Sequence, residues 1–407
     1  MKIYMIGIGG IGMSALAQLY LSHGEEVSGS DREAGPTTEL LEKKGIPVII
    51  GQRAENVPKG VDRVIYSDAI PYKHSERVKA RKRGIKEMSY FQALGEVSHG
   101  MTTVAVAGTH GKTTTTAMLT KILHDAGKNP TAIIGSIVRD FGNNFVLGSP
   151  DLLVVEACEY KDHVLELSPK ILVITNIEWD HTDWFKTEEA MRATFQKAID
   201  AVPKDGKVIT AREYSKEPRY KLKLIGTFNQ DNARAASAAA KALFPDITNK
   251  QIAKSLKAFQ GTWRRFEYKG KSENGAEVYD DYAHHPTAIR ETIGAVRQKF
   301  PSKKIVVAFH PHLYSRTEDL FDGFVSALAG ADRILLAPIY AAREVDAGEV
   351  SSDTLAAAIV KKNKQVKSLL DFDAIYKELV TCSSQTIIIT MGAGDIYKVA
   401  DRLVGSL

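Results

Sequence analysis

Thr102-Thr103-Val104-Ala105-Val106-Ala107 runs directly into Gly108-Thr109-His110-Gly111-Lys112-Thr113-Thr114. The first six residues are apolar or β-branched, which reads as a buried strand; the glycine turn and the threonine-rich segment after it read as a loop opening a helix. A strand, a glycine loop and a Lys-Thr pair at a helix start make a phosphate cradle. Backbone amides of residues 108–112 face the phosphates, the Lys112 ammonium reaches the outer ones, and the Thr113 hydroxyl suits Mg²⁺. The loop is shorter at its start than the strict P-loop pattern, because Val106 stands where that pattern has its first glycine.

Upstream, Lys2 to Ile6 is a second apolar strand followed by Gly7-x-Gly9-x-x-Gly12 and a helical pattern from about Met13, with Asp31 closing the next strand. This is the context of a dinucleotide fingerprint: the glycines admit a pyrophosphate to a helix N-terminus and the acidic residue reaches a ribose hydroxyl. On these residues alone NAD, FAD or another diphosphate fits. Apolar stretches at 47–50 and 61–66 complete a βαβ rhythm, and a second cycle opens near residue 100 with strands at 152–155 and 171–175. A third series, at 278–280, 305–309, 334–337 and 386–390, follows the turn-rich segment 259–265. The fold class expected is α/β with three domains: a Rossmann-like domain 1–98, a central P-loop ATPase-like parallel sheet 99–263, and a Rossmann-like domain 264–407.

Strand ends in open α/β sheets collect ligands, so the residues there are candidates. Glu156 and His181, the latter in Asn176-Ile177-Glu178-Trp179-Asp180-His181, are candidate metal partners. Asp280-Asp281-Tyr282-Ala283-His284-His285 and His310-Pro311-His312-Leu313-Tyr314-Ser315-Arg316 hold too many ionisable groups to be buried unpaired and are expected to face a cleft. The histidines lack zinc-ligand spacing.

The 407 residues carry Lys+Arg 54 and Asp+Glu 49, a net charge of +5, with 44% hydrophobic and 25% charged residues, the balance of an ordinary globular chain. No apolar run approaches the roughly 20 residues of a membrane span. Two cysteines, Cys158 and Cys382, suit a reducing compartment, and a cytoplasmic location is expected. The basic cluster Lys79 to Arg83 lacks interleaved aromatics, so neither nucleic acid nor membrane is expected as a partner.

Taken together, Gly7 to Met13, Gly29-Ser30-Asp31, Gly108 to Thr116, Glu156-Ala157-Cys158-Glu159-Tyr160, Thr175 to Glu178, Arg264-Arg265-Phe266, Asp280 to Thr287, Pro311 to Thr317, Tyr340-Ala341-Ala342 and Gly392 to Ile396 resemble the ATP-dependent Mur ligases of peptidoglycan synthesis over nearly the whole chain. The resemblance is nearest to the alanine-adding members and implies joining of L-alanine to the lactyl carboxylate of UDP-N-acetylmuramate through an acyl phosphate. It implies that the first loop binds UDP-sugar through Gly9, Gly10, Ile11, Gly12, Asp31 and Ser67. ATP is then held by Gly108, Thr109, His110, Gly111, Lys112, Thr113, Thr114, Asn229, Asn232, Arg264 and Asp281. Thr113, Glu156 and His181 hold Mg²⁺ or Mn²⁺, while Tyr282, His284, His312 and Arg316 line the amino-acid pocket. Lys112, Glu156, His181, His284 and Arg316 are the catalytic set, and a monomer or weak homodimer is expected. Leu313 departs from members that carry arginine there, and Lys197 has no assigned role. The competing readings are a ligase that attaches a recycled murein peptide to the same sugar nucleotide, and an NAD(P)-dependent dehydrogenase, which leaves the Lys112 loop unexplained. Lys112→Ala is expected to abolish turnover without unfolding the chain.

Overall fold

The structure, a computed structural model, describes residues 1–342, 344–346, 348–362 and 364–406. The described residues form three sheets. The first is built from β1 (Lys2–Ile6), β2 (Glu26–Asp31), β3 (Val48–Ile50), β4 (Arg63–Tyr66) and β5 (Lys86–Ser89), all parallel, in the order β3-β2-β1-β4-β5. The second contains β6 (Thr102–Ala107), β7 (Pro130–Val138), β8 (Asn143–Val146), β9 (Ser149–Glu156), β10 (Ile171–Ile174) and β11 (Lys207–Ile209), in the order β11-β10-β6-β9-β7-β8, with only β8 antiparallel. The third contains β12 (Glu267–Lys271), β13 (Glu277–Asp281), β14 (Lys304–Phe309), β15 (Arg333–Leu336), β16 (Gln365–Ser368) and β17 (Thr386–Met391), in the order β12-β13-β17-β14-β15-β16, with β12 antiparallel.

The inner strands are buried on both faces, which is why they read as unbroken apolar runs instead of alternating ones. In the third sheet Val307, Phe309, Ile387 and Ile389 enter one core, and Val306, Ala308 and Ile388 enter the core on the opposite face. The strands absent from the sequence reading are the edges β5, β8, β11, β12 and β16 and one inner strand, β7. Edge strands carry polar side chains because an apolar edge invites pairing with another chain, so their pattern resembles a loop. The stretch from Arg139 to Pro150, a short connection by sequence, holds the turn after β7, the strand β8 that pairs with it and the start of β9.

The chain divides into two compact units. One comprises Met1–Ile177, Arg192–Tyr220 and Asn232–Phe259 and contains the first two sheets; the other comprises Glu178–Met191, Lys221–Asp231 and Gln260–Leu407 and contains the third. Among the described residues, no helix is long and apolar enough to cross a membrane.

Candidate active site

Strand order reverses around β6 in the second sheet, the place where such sheets bind ligands, and Gly108 follows β6 directly. Gly108 has φ +125° and Gly111 has φ +83°. A Cβ would run into the Thr175 hydroxyl at the first position and into the Asn232 side chain at the second, so only glycine fits either. The amide of Asn176 brackets the loop: its Oδ1 accepts from His110 N at 2.9 Å and its Nδ2 donates to His110 O at 2.9 Å. Thr175 Oγ1 donates to the same carbonyl at 2.6 Å. The loop is thereby fixed before any phosphate arrives, at the start of the helix Lys112–Asp125, whose first amides and dipole favour an anion.

Lys112 is folded into this loop. Its ammonium donates to Gly108 O at 2.5 Å and Thr109 O at 3.2 Å, and it pairs with Glu159 Oε2 at 2.9 Å. The Lys112 side chain is 14% exposed and that of Glu159 is fully buried. Burial lowers the pKa of the amine, but the Glu159 carboxylate outweighs it and raises Lys112 above its ordinary value. Glu159 lies in the run Glu156 to Tyr160, where no local pattern marks it as the partner of Lys112. Glu156, at the end of β9, accepts from Gly135 N at 3.0 Å. The neighbouring Cys158 thiol is pushed by burial up to about 12, so it stays protonated and is no nucleophile.

The first glycine loop leaves β1, beside the reversal between β1 and β4. Asp31 Oδ2 accepts from Gly9 N at 2.7 Å and Oδ1 from Arg32 N at 2.7 Å, so the carboxylate shapes the loop itself. A Cβ at Gly9 would lie 2.7 Å from Thr38 Cγ2 and 2.9 Å from Asp31 Oδ2, and one at Gly12 would lie 2.6 Å from the Tyr90 ring. A cavity of about 280 Å³ opens here, lined among others by Gly10, Gly12, Ser67, Phe91 and Glu156. Asp31→Ala is expected to raise KM for a nucleotide held by this loop roughly tenfold with kcat little changed, since the lost group orders the loop and is not itself a reacting group. Steady-state kinetics check this; an unchanged KM would contradict it.

In the other unit the sequence-selected residues sort into two groups. Arg264 and Asp280 are buried in a closed network: the guanidinium donates to Asp280 Oδ2 at 2.8 Å, Gly394 O at 2.9 Å and Gly392 O at 2.6 Å, while Thr390 Oγ1 donates to Asp280 Oδ1 at 2.6 Å. With a side chain 6% exposed, Arg264 ties β13 to the Gly392–Gly394 turn instead of facing open space. Asp281 accepts from Ala283 N at 2.9 Å and Thr292 Oγ1 at 3.1 Å, and burial raises its carboxyl to about 6. Asn229 Nδ2 donates to Ile225 O at 2.7 Å.

The second group surrounds Arg316. Its Nε donates to Asp180 Oδ1 at 2.9 Å and its NH1 to His312 Nδ1 at 3.1 Å. A guanidinium only donates, so His312 Nδ1 is an acceptor and carries no proton. Burial would raise the Asp180 carboxyl, but Arg316 overrides it and holds the group well below the ordinary carboxylate range. Burial, then Arg316, hold the His284 imidazole well below its usual value, so it is neutral at pH 7. The His284 and His312 rings lie 6.2 Å apart and Tyr282 is 5.2 Å from His284. His181 has φ +52° and takes Asp180 Oδ1 as acceptor for its amide at 2.7 Å. Asp180, adjacent to His181, is the partner that sequence reading passed over. His285 caps the helix Pro286–Lys299 through Thr287 N at 3.3 Å, and Leu313 is buried at a positive φ of +71°. Lys197 is exposed.

His310, at the end of β14, is 6% exposed and its Nδ1 makes no hydrogen bond among the described residues. Burial lowers its pKa to about 4. The folded value lies below the unfolded one, so this stability is present above about pH 6.5 and is lost as pH falls towards 4. The stability of the wild type relative to His310→Leu is expected to fall by about 3 kcal/mol between pH 7 and pH 4. Asp281 acts oppositely, losing stability as pH rises through about 6, but cancels in this difference. Denaturant titration at both pH values checks this; a constant difference would contradict it.

Two glycine loops at strand–helix junctions of two largely parallel sheets, and an arginine-histidine cluster beside a third, are the features of a nucleotide-dependent α/β protein. The chain belongs to the Mur ligase family. Its residues 2–101 match the model for the Mur ligase family catalytic domain, residues 106–217 the Mur ligase middle domain, and residues 264–394 the Mur ligase glutamate ligase domain. It is 37% identical to the UDP-N-acetylmuramate--L-alanine ligase of Clostridium kluyveri over 98% of this chain and 97% of that one. The corresponding ligase of Clostridium acetobutylicum is 37% identical over 99% and 97%. The crystal structure of UDP-N-acetylmuramate-alanine ligase from Thermotoga maritima matches with a TM-score of 0.84 and 29% identity, covering 100% of this chain and 98% of that one. A murein peptide ligase from Psychrobacter arcticus shares the fold, with a TM-score of 0.76 at 24% identity over 100% and 98%.

Proposed function

We propose that this chain joins L-alanine to the lactyl carboxylate of UDP-N-acetylmuramate with hydrolysis of ATP to ADP and phosphate. The observation that carries this reading is that Glu156, on the strand beside the one feeding the Lys112 loop, lines the same cavity as Gly10, Gly12 and Ser67. That arrangement supports a reading in which the sugar carboxylate and the outer phosphate of ATP meet near Glu156. The 37% identity to alanine-adding ligases along essentially the whole chain supports the choice of substrates.

In this reading the amides of residues 108–113 and the Lys112 ammonium hold the β- and γ-phosphates, Lys112 exchanging its carbonyl contacts for phosphate oxygens while Glu159 keeps it oriented. The lactyl carboxylate attacks the γ-phosphorus, ADP leaves, and the alanine amine then displaces phosphate from the acyl phosphate. Arg316, held by Asp180, receives the alanine carboxylate, and Tyr282, His284 and His312 line the amino-acid site beside it. The Thr113 hydroxyl and Glu156 carboxylate are hard oxygen donors that fit Mg²⁺ or Mn²⁺, with His181 as a third ligand. The ion supplies charge neutralisation on the phosphates. We assign Asn229, Asn232 and Asp281 to adenosine, domain boundaries at 98/99 and 263/264, a cytoplasmic location, and a monomer or weak homodimer. Incubation with radiolabelled L-alanine, ATP and UDP-N-acetylmuramate tests the reading: label enters a UDP-sugar product, and its absence refutes the proposal.

A further inference from the structure

The loop after β4 brings Ser67 and Asp68 to the cavity that Gly10 and Gly12 line. Ile70 N donates to Ser67 O at 2.8 Å, closing a tight turn, so the directions of Ser67 and Asp68 are coupled. The Asp68 carboxylate is paired with His163 Nε2. A carboxylate accepts, so Nε2 carries the proton. The face of the same imidazole is stacked on Phe91, with centroids 3.7 Å apart and planes 13° apart, and Phe91 is another wall of the cavity. One side chain therefore fixes two walls of the site.

The backbone is strained to place it. Lys161 and Asp162, immediately before His163, have φ +52° and +61°, consecutive left-handed conformations that non-glycine residues seldom adopt. Asp162 is tied down by the Thr194 hydroxyl. The His163 ring is 9% exposed and its Nδ1 makes no hydrogen bond among the described residues. None of the steps of acyl transfer uses these atoms.

We propose that His163 is a positioning residue for the sugar nucleotide: its bond to Asp68 holds the Ser67 turn, and its stacking holds Phe91, in the geometry that admits the UDP-sugar. The inference rests on assigning the cavity to UDP-N-acetylmuramate. Lys161 and Arg77 also act on Asp68, so losing His163 lets the turn re-pair elsewhere and drift without unfolding the sheet.

The test is steady-state kinetics with calorimetric binding of UDP-N-acetylmuramate to the full chain. His163→Ala is expected to raise KM for the sugar nucleotide roughly tenfold, with kcat and KM for ATP unchanged within about twofold. His163→Gln, whose amide donor falls near the position of Nε2, is expected to recover most of that loss. A general structural defect would move kcat and both KM values together and would not be rescued by Gln, and that pattern would overturn the proposal. If His163→Ala does not fold, Asp68→Ala breaks the same pair from the partly exposed side and is expected to show the same selective rise. Failure of the wild type to bind UDP-N-acetylmuramate would refute the cavity assignment itself. Equal binding by wild type and His163→Ala would refute only the positioning role.

Discussion

Lys112→Met is expected to lower kcat by about 10³-fold or more, the scale set by losing a preorganised charge on a transferring phosphoryl group. It is also expected to cost stability. Glu159 is fully buried and pairs with Lys112 at 2.9 Å, so removing the ammonium takes the opposite charge away from a carboxylate held out of water. Breaking a buried pair from one side costs about 3–5 kcal/mol. A cost of this size lowers stability and is compatible with the expectation that Lys112→Ala does not unfold the chain. The two effects separate in the double variant Lys112→Met/Glu159→Gln, which is expected to recover most of the stability and none of the turnover. Denaturant titration and phosphate release on the single and double variants check this. A stable but still inactive double variant supports both roles, and turnover near wild type in Lys112→Met would contradict the assignment of the loop.

Asp280→Ala is expected to produce the largest loss of stability in the unit that contains the third sheet. Arg264 would keep its bonds to Gly392 O and Gly394 O but lose the only carboxylate its guanidinium contacts within 3 Å among the described residues, in a place where its side chain is 6% exposed. The stranded cation costs about 3–5 kcal/mol, which in a unit of this size lowers the unfolding midpoint by about 10 °C. Asp280→Asn keeps an acceptor for Arg264 and is expected to lose less. Calorimetry of the three proteins decides the matter; an Asp280→Ala midpoint within a degree or two of wild type would show that the network is dispensable.

The elements legible in the sequence are those whose signal is local. β1 with Gly7 to Gly12, and β6 with Gly108 to Thr114, declare themselves because strand, turn and helix start are contiguous and the glycines are required by positive φ or close contact. The inner strands of the third sheet are legible because burial on both faces leaves runs such as Ile387-Ile388-Ile389. What escaped depends on partners far apart in sequence. Glu159 acts on Lys112 across 47 positions and Asp180 on Arg316 across 136, so neither pairing follows from any window of sequence. The resemblance groups Arg264 with the ATP-contacting residues; in the fold three of its five guanidinium N–H groups are engaged by Asp280 and two carbonyls that lie far from it in sequence. The edge strands escaped because the polar residues that protect an edge also describe a loop.

Phosphate release from ATP in the presence of UDP-N-acetylmuramate, compared with L-alanine, with the L-Ala-γ-D-Glu-diaminopimelate tripeptide and with no amine, bears most directly on the proposed reaction. Release that requires both the sugar nucleotide and L-alanine is the predicted result. Release with the tripeptide alone would assign the enzyme to peptide recycling, and silence with either amine despite tight ATP binding would contradict the ligase chemistry.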